Sequence, residues 1–217
     1  MCGRFALVSD RAAIAERFDV RDGSYEFKPN WNVSPGQYIG AVIRREGRNV
    51  LASFLWGLIP SQAKDPSMGS KLINARAETI DKKPSFRGAF SKRRCLIVAD
   101  GFYEWEKVGA KKIPLYFHLK SKEPFGLAGL YETWTSPDKK EIKSCTIITT
   151  EANKLIAPIH DRMPVIVPKK QENIWISDAM EDRAMLLSIL QPYPAEEMCY
   201  EIGMGPRFAE VKEGLKA

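Results

Sequence analysis

Apolar and polar residues alternate over much of this chain, and that pattern predicts more strands than helices. Tyr38 to Ile43 and Val50 to Leu58 are β-rich runs separated by Glu46-Gly47, which predicts a hairpin. From Arg94 onward strands follow closely: Cys95 to Val98, Phe102 to Glu106, Ile113 to Leu119, Phe125 to Trp134 and Ile142 to Thr149. Gly109 to Lys112 and Ser136 to Lys139 supply turns. Pro164 to Val167 reads as a further strand. Helical spacing is rarer. Ser9-Asp10 is a natural cap for a helix through Ala12, Ile14, Ala15 and Phe18. Ala75 to Ile80, Ser85 to Phe90, Lys169 to Ile176 and Asp182 to Ile189 are the other helical candidates, and Asn153 to Ile156 reads as a helical turn. Asp22-Gly23-Ser24 and Asn32-Val33-Ser34-Pro35-Gly36 read as breaks, and Ser61 to Ser70 as a polar surface loop. The pattern predicts one α+β domain over residues 1–217. Its core is an antiparallel, partly closed, barrel-like sheet with short peripheral helices.

Composition narrows the picture without deciding it. A hydrophobic fraction of 44% supports a sizeable core in a chain of 217 residues. The net charge of +6 fits a nucleic-acid partner and also fits many proteins that bind none. Cys2, Cys95, Cys145 and Cys199 show no metal-like C-x-x-C spacing, and Cys95 and Cys145 lie in apolar runs as structural thiols. No signal peptide and no membrane-length apolar run is present, so a reducing, cytoplasmic location is expected, with no membrane partner.

Candidate chemistry begins at the first residues. Removal of Met1 from Met1-Cys2-Gly3-Arg4-Phe5 would leave Cys2 with an α-amine and a thiol on adjacent carbons. Such a 1,2-aminothiol condenses with an aldehyde to an imine, and the thiol then closes a five-membered thiazolidine. The plainer reading is a small residue at a frayed terminus. Asn74 and Arg76 follow an apolar pair and could orient a carbonyl or phosphate, or Asn74 could cap a helix. Glu104 lies among aromatics in Phe102-Tyr103-Glu104-Trp105. Desolvation would raise its pKa, although an alternating strand could equally turn it to water. His160 sits in a proline-bounded turn beside Asp161 and Arg162, whereas His118 lies in an alternating strand as a structural residue.

Six segments in this order carry a resemblance: Cys2-Gly3-Arg4-Phe5, Asn32 to Gly36, Trp56-Gly57-Leu58-Ile59-Pro60, Asn74 to Thr79, Ala99 to Trp105 and Ile159 to Pro164. The chain resembles the SRAP family, the SOS response-associated peptidases understood as abasic-site shields. The likeness runs from residue 2 to about residue 168, and Gly203 to Ala217 departs from the family pattern. The resemblance implies that Cys2 is the covalent nucleophile and that Asn74 holds it and the opened sugar. It implies that Glu104 is the acid–base group beside the amine and that His160 assists ring opening. Arg4 and Arg76 would bind phosphate with Thr149 nearby, while Trp56 and Pro35 would form a wedge and platform around the lesion. The implied protein is a monomer that crosslinks to abasic sites in single-stranded DNA without metal or organic cofactor. A lyase side activity and autoproteolytic loss of Met1 belong to that picture, and a bacterial member would be nucleoid-associated. Two other classes stay open: a cysteine peptidase using Cys2 and His160, and a non-enzymatic DNA-binding module.

Overall fold

The computed structural model describes residues 2–23, 25–26 and 28–204. Along the chain the elements are β1 (Phe5–Leu7), α1 (Arg11–Phe18), β2 (Val20–Gly23), β3 (Asn30–Val33), β4 (Tyr38–Arg45), β5 (Arg48–Trp56), β6 (Asn74–Arg76), α2 (Pro84–Lys92), β7 (Arg94–Ala99), β8 (Gly101–Val108), β9 (Lys111–Leu119), β10 (Phe125–Thr135), β11 (Glu141–Glu151), β12 (Arg162–Pro164), α3 (Lys169–Trp175), α4 (Arg183–Ile189) and β13 (Met198–Ile202). Local signals act where expected. Asp10 caps α1 by accepting the Ala13 N–H, and Asp182 caps α4 through the N–H groups of Ala184 and Met185. The β4–β5 hairpin turns on Glu46 and Gly47, both at positive φ, with Arg45 opposite Arg48.

Five strands close a barrel in the order β5, β4, β7, β10, β11. Four of its junctions are antiparallel, and the fifth is a parallel pairing that sets Ser144 and Cys145 of β11 against Leu55 and Trp56 of β5. That parallel contact closes what sequence patterning left partly open. The spine of the barrel is β11, whose Ser144 to Thr150 segment is buried on both faces. Past the point where β5 ends, β6 takes over the same edge and pairs with Ile147 to Thr149. Asn74 to Arg76 is therefore a strand, and only Ala77–Thr79 winds into a 3-10 turn, where a helix over Ala75 to Ile80 was expected. The free edge of β11 outcompetes local helix propensity.

Two expected breaks are also partly strand. Asp22 and Gly23 belong to β2, parallel to β5, while Ser24 lies outside the described residues. Asn32 and Val33 belong to β3, so the turn is confined to Pro35 and Gly36. The Ser61 to Ser70 stretch contains a 3-10 helix at Pro66–Lys71. Much of the divergent terminus, residues 205–217, lies outside the described residues.

A second sheet of five strands packs on the barrel in the order β13, β9, β8, β1, β3. The chain passes from barrel to sheet at Asp100, between β7 and β8. Gly101 must lack a side chain there, since a Cβ would come within 2.3 Å of the Tyr116 ring and 2.6 Å of the Phe117 carbonyl. Phe5 of β1 meets Trp56 of β5 with ring centroids 5.3 Å apart, joining sheet and barrel in one core.

Candidate active site

The start of the chain is an interior strand of the second sheet, which explains why Cys2 is buried. β1 lies between β8 and β3, with Phe5 opposite both Phe102 and Val33. The Tyr103 N–H donates to the Arg4 carbonyl at 3.0 Å. Carried on by two residues, this register sets Gly3 opposite Glu104. Asp100 fixes the far end of β1, accepting the N–H groups of Val8 at 2.5 Å and Ser9 at 2.8 Å and the Ser9 hydroxyl. At the near end the Asn74 amide nitrogen donates to the Cys2 carbonyl at 2.9 Å. Cys2 is 0% exposed, against the alternative of a frayed terminus. Asn74 therefore orients a carbonyl and caps no helix. Its amide oxygen is buried without a hydrogen-bond partner.

Burial sets the protonation of this corner. Glu104 is enclosed, and desolvation pushes its carboxyl up to about 7, with the amino-terminal charge opposing the shift and Asp161 adding to it. The alternative of a water-facing strand residue is thus excluded. The Cys2 thiol is pushed up to about 12, first by burial and then by the charge of Glu104. His160 is held below its ordinary value by burial and by the amino-terminal charge, while Asp161 acts the other way. The influence of Asp161 on Glu104 brings the His160 turn within electrostatic reach of the carboxyl. His160 Nδ1 accepts the Arg162 N–H at 2.9 Å and also lies 2.9 Å from an Asp161 carboxylate oxygen. Those contacts demand opposite protonation of one atom. The backbone N–H of Arg162 can only donate, so in the neutral ring Nδ1 accepts it and the proton sits on Nε2.

A profile of the family described as SOS response associated peptidase (SRAP) matches residues 1–203. The chain belongs to the SRAP family. It is 46% identical over 201 residues to the abasic site processing protein YoqW of Bacillus subtilis (strain 168), covering 91% of this chain and 90% of that one. Identity to the abasic site processing protein YedK of Escherichia coli (strain K12) is 31%, over 81% of this chain and 79% of that one. Among solved structures, a protein from Bacteroides thetaiotaomicron superposes with a TM-score of 0.84 at 27% identity, covering 96% of this chain and 94% of the other.

Not every residue implied by the SRAP resemblance reaches the open side of the site. Arg4 is half-buried and donates to the Asn32 side chain at 3.3 Å; Arg76 is exposed, two residues beyond Asn74 and on the same face of β6. Pro35 is half-buried in the turn whose Gly36 N–H bonds the Trp56 carbonyl at 2.9 Å. Trp56 itself is only 1% exposed, and its indole N–H donates to the Ile73 carbonyl at 2.9 Å. It is a core residue and offers no face to a nucleobase; Trp31 and Trp105 are the partly exposed tryptophans. Thr149 is 0% exposed, and its carbonyl accepts from the Arg162 guanidinium at 2.6 Å. Sequence reasoning missed the clamp this forms. Arg162 also makes a two-pronged pair with Glu78, at 2.5 and 3.1 Å, tying the segment after Asn74 to the turn that carries His160. Their places within two of the matching segments were the available signal.

Proposed function

We propose that this protein processes abasic sites in DNA, and that it does so by covalent capture of the open-chain aldehyde at Cys2 in single-stranded DNA. The observation that carries the reading is the Asn74–Cys2 bond at 2.9 Å beside a buried carboxyl with a pKa near 7. The names of several SRAP relatives support the substrate. Once Met1 is removed, the Cys2 α-amine adds to the aldehyde and water leaves to give an imine. The thiol then adds across the C=N bond, closing a thiazolidine with no further leaving group. A thiol pushed up to about 12 reaches that step protonated, so a base must accept its proton. A carboxyl that titrates near 7 can lend and reclaim protons at neutral pH, which suits Glu104 to both steps. His160, with its proton on Nε2, suits protonation of the sugar-ring oxygen during opening. Arg4 and Arg76 supply phosphate contacts, Pro35 a wall of the site, and Trp31 and Trp105 stacking faces in place of Trp56. The imine is also the species from which β-elimination would nick the strand. Burial raises the Cys2 thiol away from the thiolate that a general cysteine peptidase uses, which weighs against that alternative.

Denaturing gels test this with abasic and intact single-stranded oligonucleotides. Protein beginning at Cys2 gives a stable adduct with abasic DNA alone. Cys2→Ser keeps the amine and is trapped only when borohydride reduces the imine. Protein that retains Met1 gives no adduct with or without borohydride. A stable adduct formed by the Met1-retaining protein, verified by intact mass, overturns the thiazolidine reading.

A further inference from the structure

A second thiol, on the opposite flank of the five-stranded sheet, has an environment unlike that of Cys2. Cys199 lies on the edge strand β13, directly opposite His118 on β9. Its sulfur lies over the ring of His118, 3.6 Å from each ring nitrogen. The ring is held from two other sides. His118 Nδ1 is 2.9 Å from the Leu119 carbonyl, and Tyr116 stacks on the ring with centroids 5.3 Å apart. A carbonyl can only accept, so Nδ1 carries the proton and Nε2 keeps its lone pair. Glu201, opposite Tyr116 in the same register, brings a carboxylate oxygen to 3.5 Å from Nε2. Among the described residues, Cys2, Cys95 and Cys145 are fully buried, whereas Cys199 is partly open to solvent.

We propose that Cys199 is a hydroperoxide-reactive thiol, with His118 as its proton acceptor and Glu201 as the carboxylate that stabilises the protonated ring. The site is independent of the abasic-site reading. Swung from over the ring to its edge, the thiol gives its proton to His118 Nε2, and the thiolate attacks the terminal, hydrogen-bearing oxygen of the peroxide. The O–O bond breaks as the S–O bond forms, so sulfur is oxidised and the peroxide is reduced. The departing alkoxide or hydroxide recovers the proton from the imidazolium and leaves as alcohol or water. The product is a sulfenic acid at position 199, which a thiol can later return to the reduced state.

The test treats the reduced full chain with hydrogen peroxide in the presence of a cyclic 1,3-dione that captures sulfenic acids, and follows each cysteine by peptide mass spectrometry. Cys199 is expected to label first and faster than a short peptide of its own sequence. His118→Gln should slow it about tenfold and Glu201→Gln about twofold. Labelling of Cys199 no faster than the peptide, or equal rates in wild type and both variants, overturns the proposal. Should His118→Gln fail to give a cooperative melt, Glu201→Gln decides alone, since its carboxylate is on the surface. An unchanged rate in that variant then refutes the proposal.

Discussion

Two corners of this molecule combine a thiol, an imidazole and a carboxyl, and they are assembled in opposite senses. At the amino-terminal corner the carboxyl of Glu104 is buried, the Cys2 thiol is driven up to about 12, and the backbone N–H of Arg162 occupies Nδ1 of His160. At the β9–β13 edge the Glu201 carboxylate is exposed, Cys199 is partly open to solvent, and the Leu119 carbonyl occupies Nδ1 of His118. The backbone thus leaves His160 with an N–H to give and His118 with a lone pair to accept. On the proposed readings, one set of functional groups serves proton lending in one place and thiol oxidation in the other. Burial and a single backbone hydrogen bond make the difference.

The largest effect should come from removing the buried carboxyl. Glu104→Gln is expected to slow adduct formation by about 10²- to 10⁴-fold and to abolish its pH dependence near neutrality, measured by single-turnover gel assays. The same substitution has a stability signature. An unfolded glutamate ionises near 4.5 and this one near 7, so the unfolded chain gives up its proton first. Below pH 4.5 both states are protonated and there is no cost; the cost grows through the interval and is fully present above about pH 7. Glu104→Gln should therefore stabilise the protein by about 1–3 kcal/mol at pH 8 and leave it unchanged near pH 4, read from denaturant melts. A gain that does not vary with pH would deny the buried charge.

The comparison of the two histidines is sharpened by a smaller effect. His160→Ala should slow capture of closed-ring abasic DNA by about a hundredfold and leave an open-chain aldehyde substrate unaffected. Nitrogen NMR should find the proton of His160 on Nε2 and that of His118 on Nδ1. Equal slowing on both substrates would remove His160 from ring opening, and matching tautomers would erase the contrast between the corners. Smallest of all is the electrostatic term. Arg4→Ala and Arg76→Ala should each flatten the log–log salt dependence of single-strand binding by about 0.7. Tyr200→Ala, on the other flank, should leave that slope alone.

Elements with a local cause were legible in the sequence. The Asp10 cap, the Glu46-Gly47 hairpin and the alternation through β8 and β9 depend on residues close in the chain. The matching segments likewise pointed to Cys2, Asn74, Glu104 and His160 before any geometry was known. What escaped was set by distant partners. The short strand β6 exists because β11 has a vacant edge once β5 ends, and nothing within Asn74–Arg76 announces that. A tryptophan in a matching segment reads as a ligand-facing aromatic, yet Trp56 lies under Phe5 with its N–H used by Ile73. Asp100 acts on Val8 and Ser9, 92 and 91 residues earlier in the chain. The Glu78–Arg162 clamp joins residues separated by most of the barrel sequence.

The interior position of β1 has a consequence for synthesis on the ribosome. β1 is made early and docks late, because β8 must be complete before β1 can pair beside it. At about 5–20 residues per second, the start of the chain waits several seconds for that partner. A processing enzyme can reach the Met1–Cys2 bond freely during this interval; once β1 has docked, access narrows to what the site itself admits. A domain fused ahead of Cys2 would have to leave through the same narrow corner. The order of translation thereby acts as a clock: trimming of the nascent chain is set against the arrival of a strand about a hundred residues downstream.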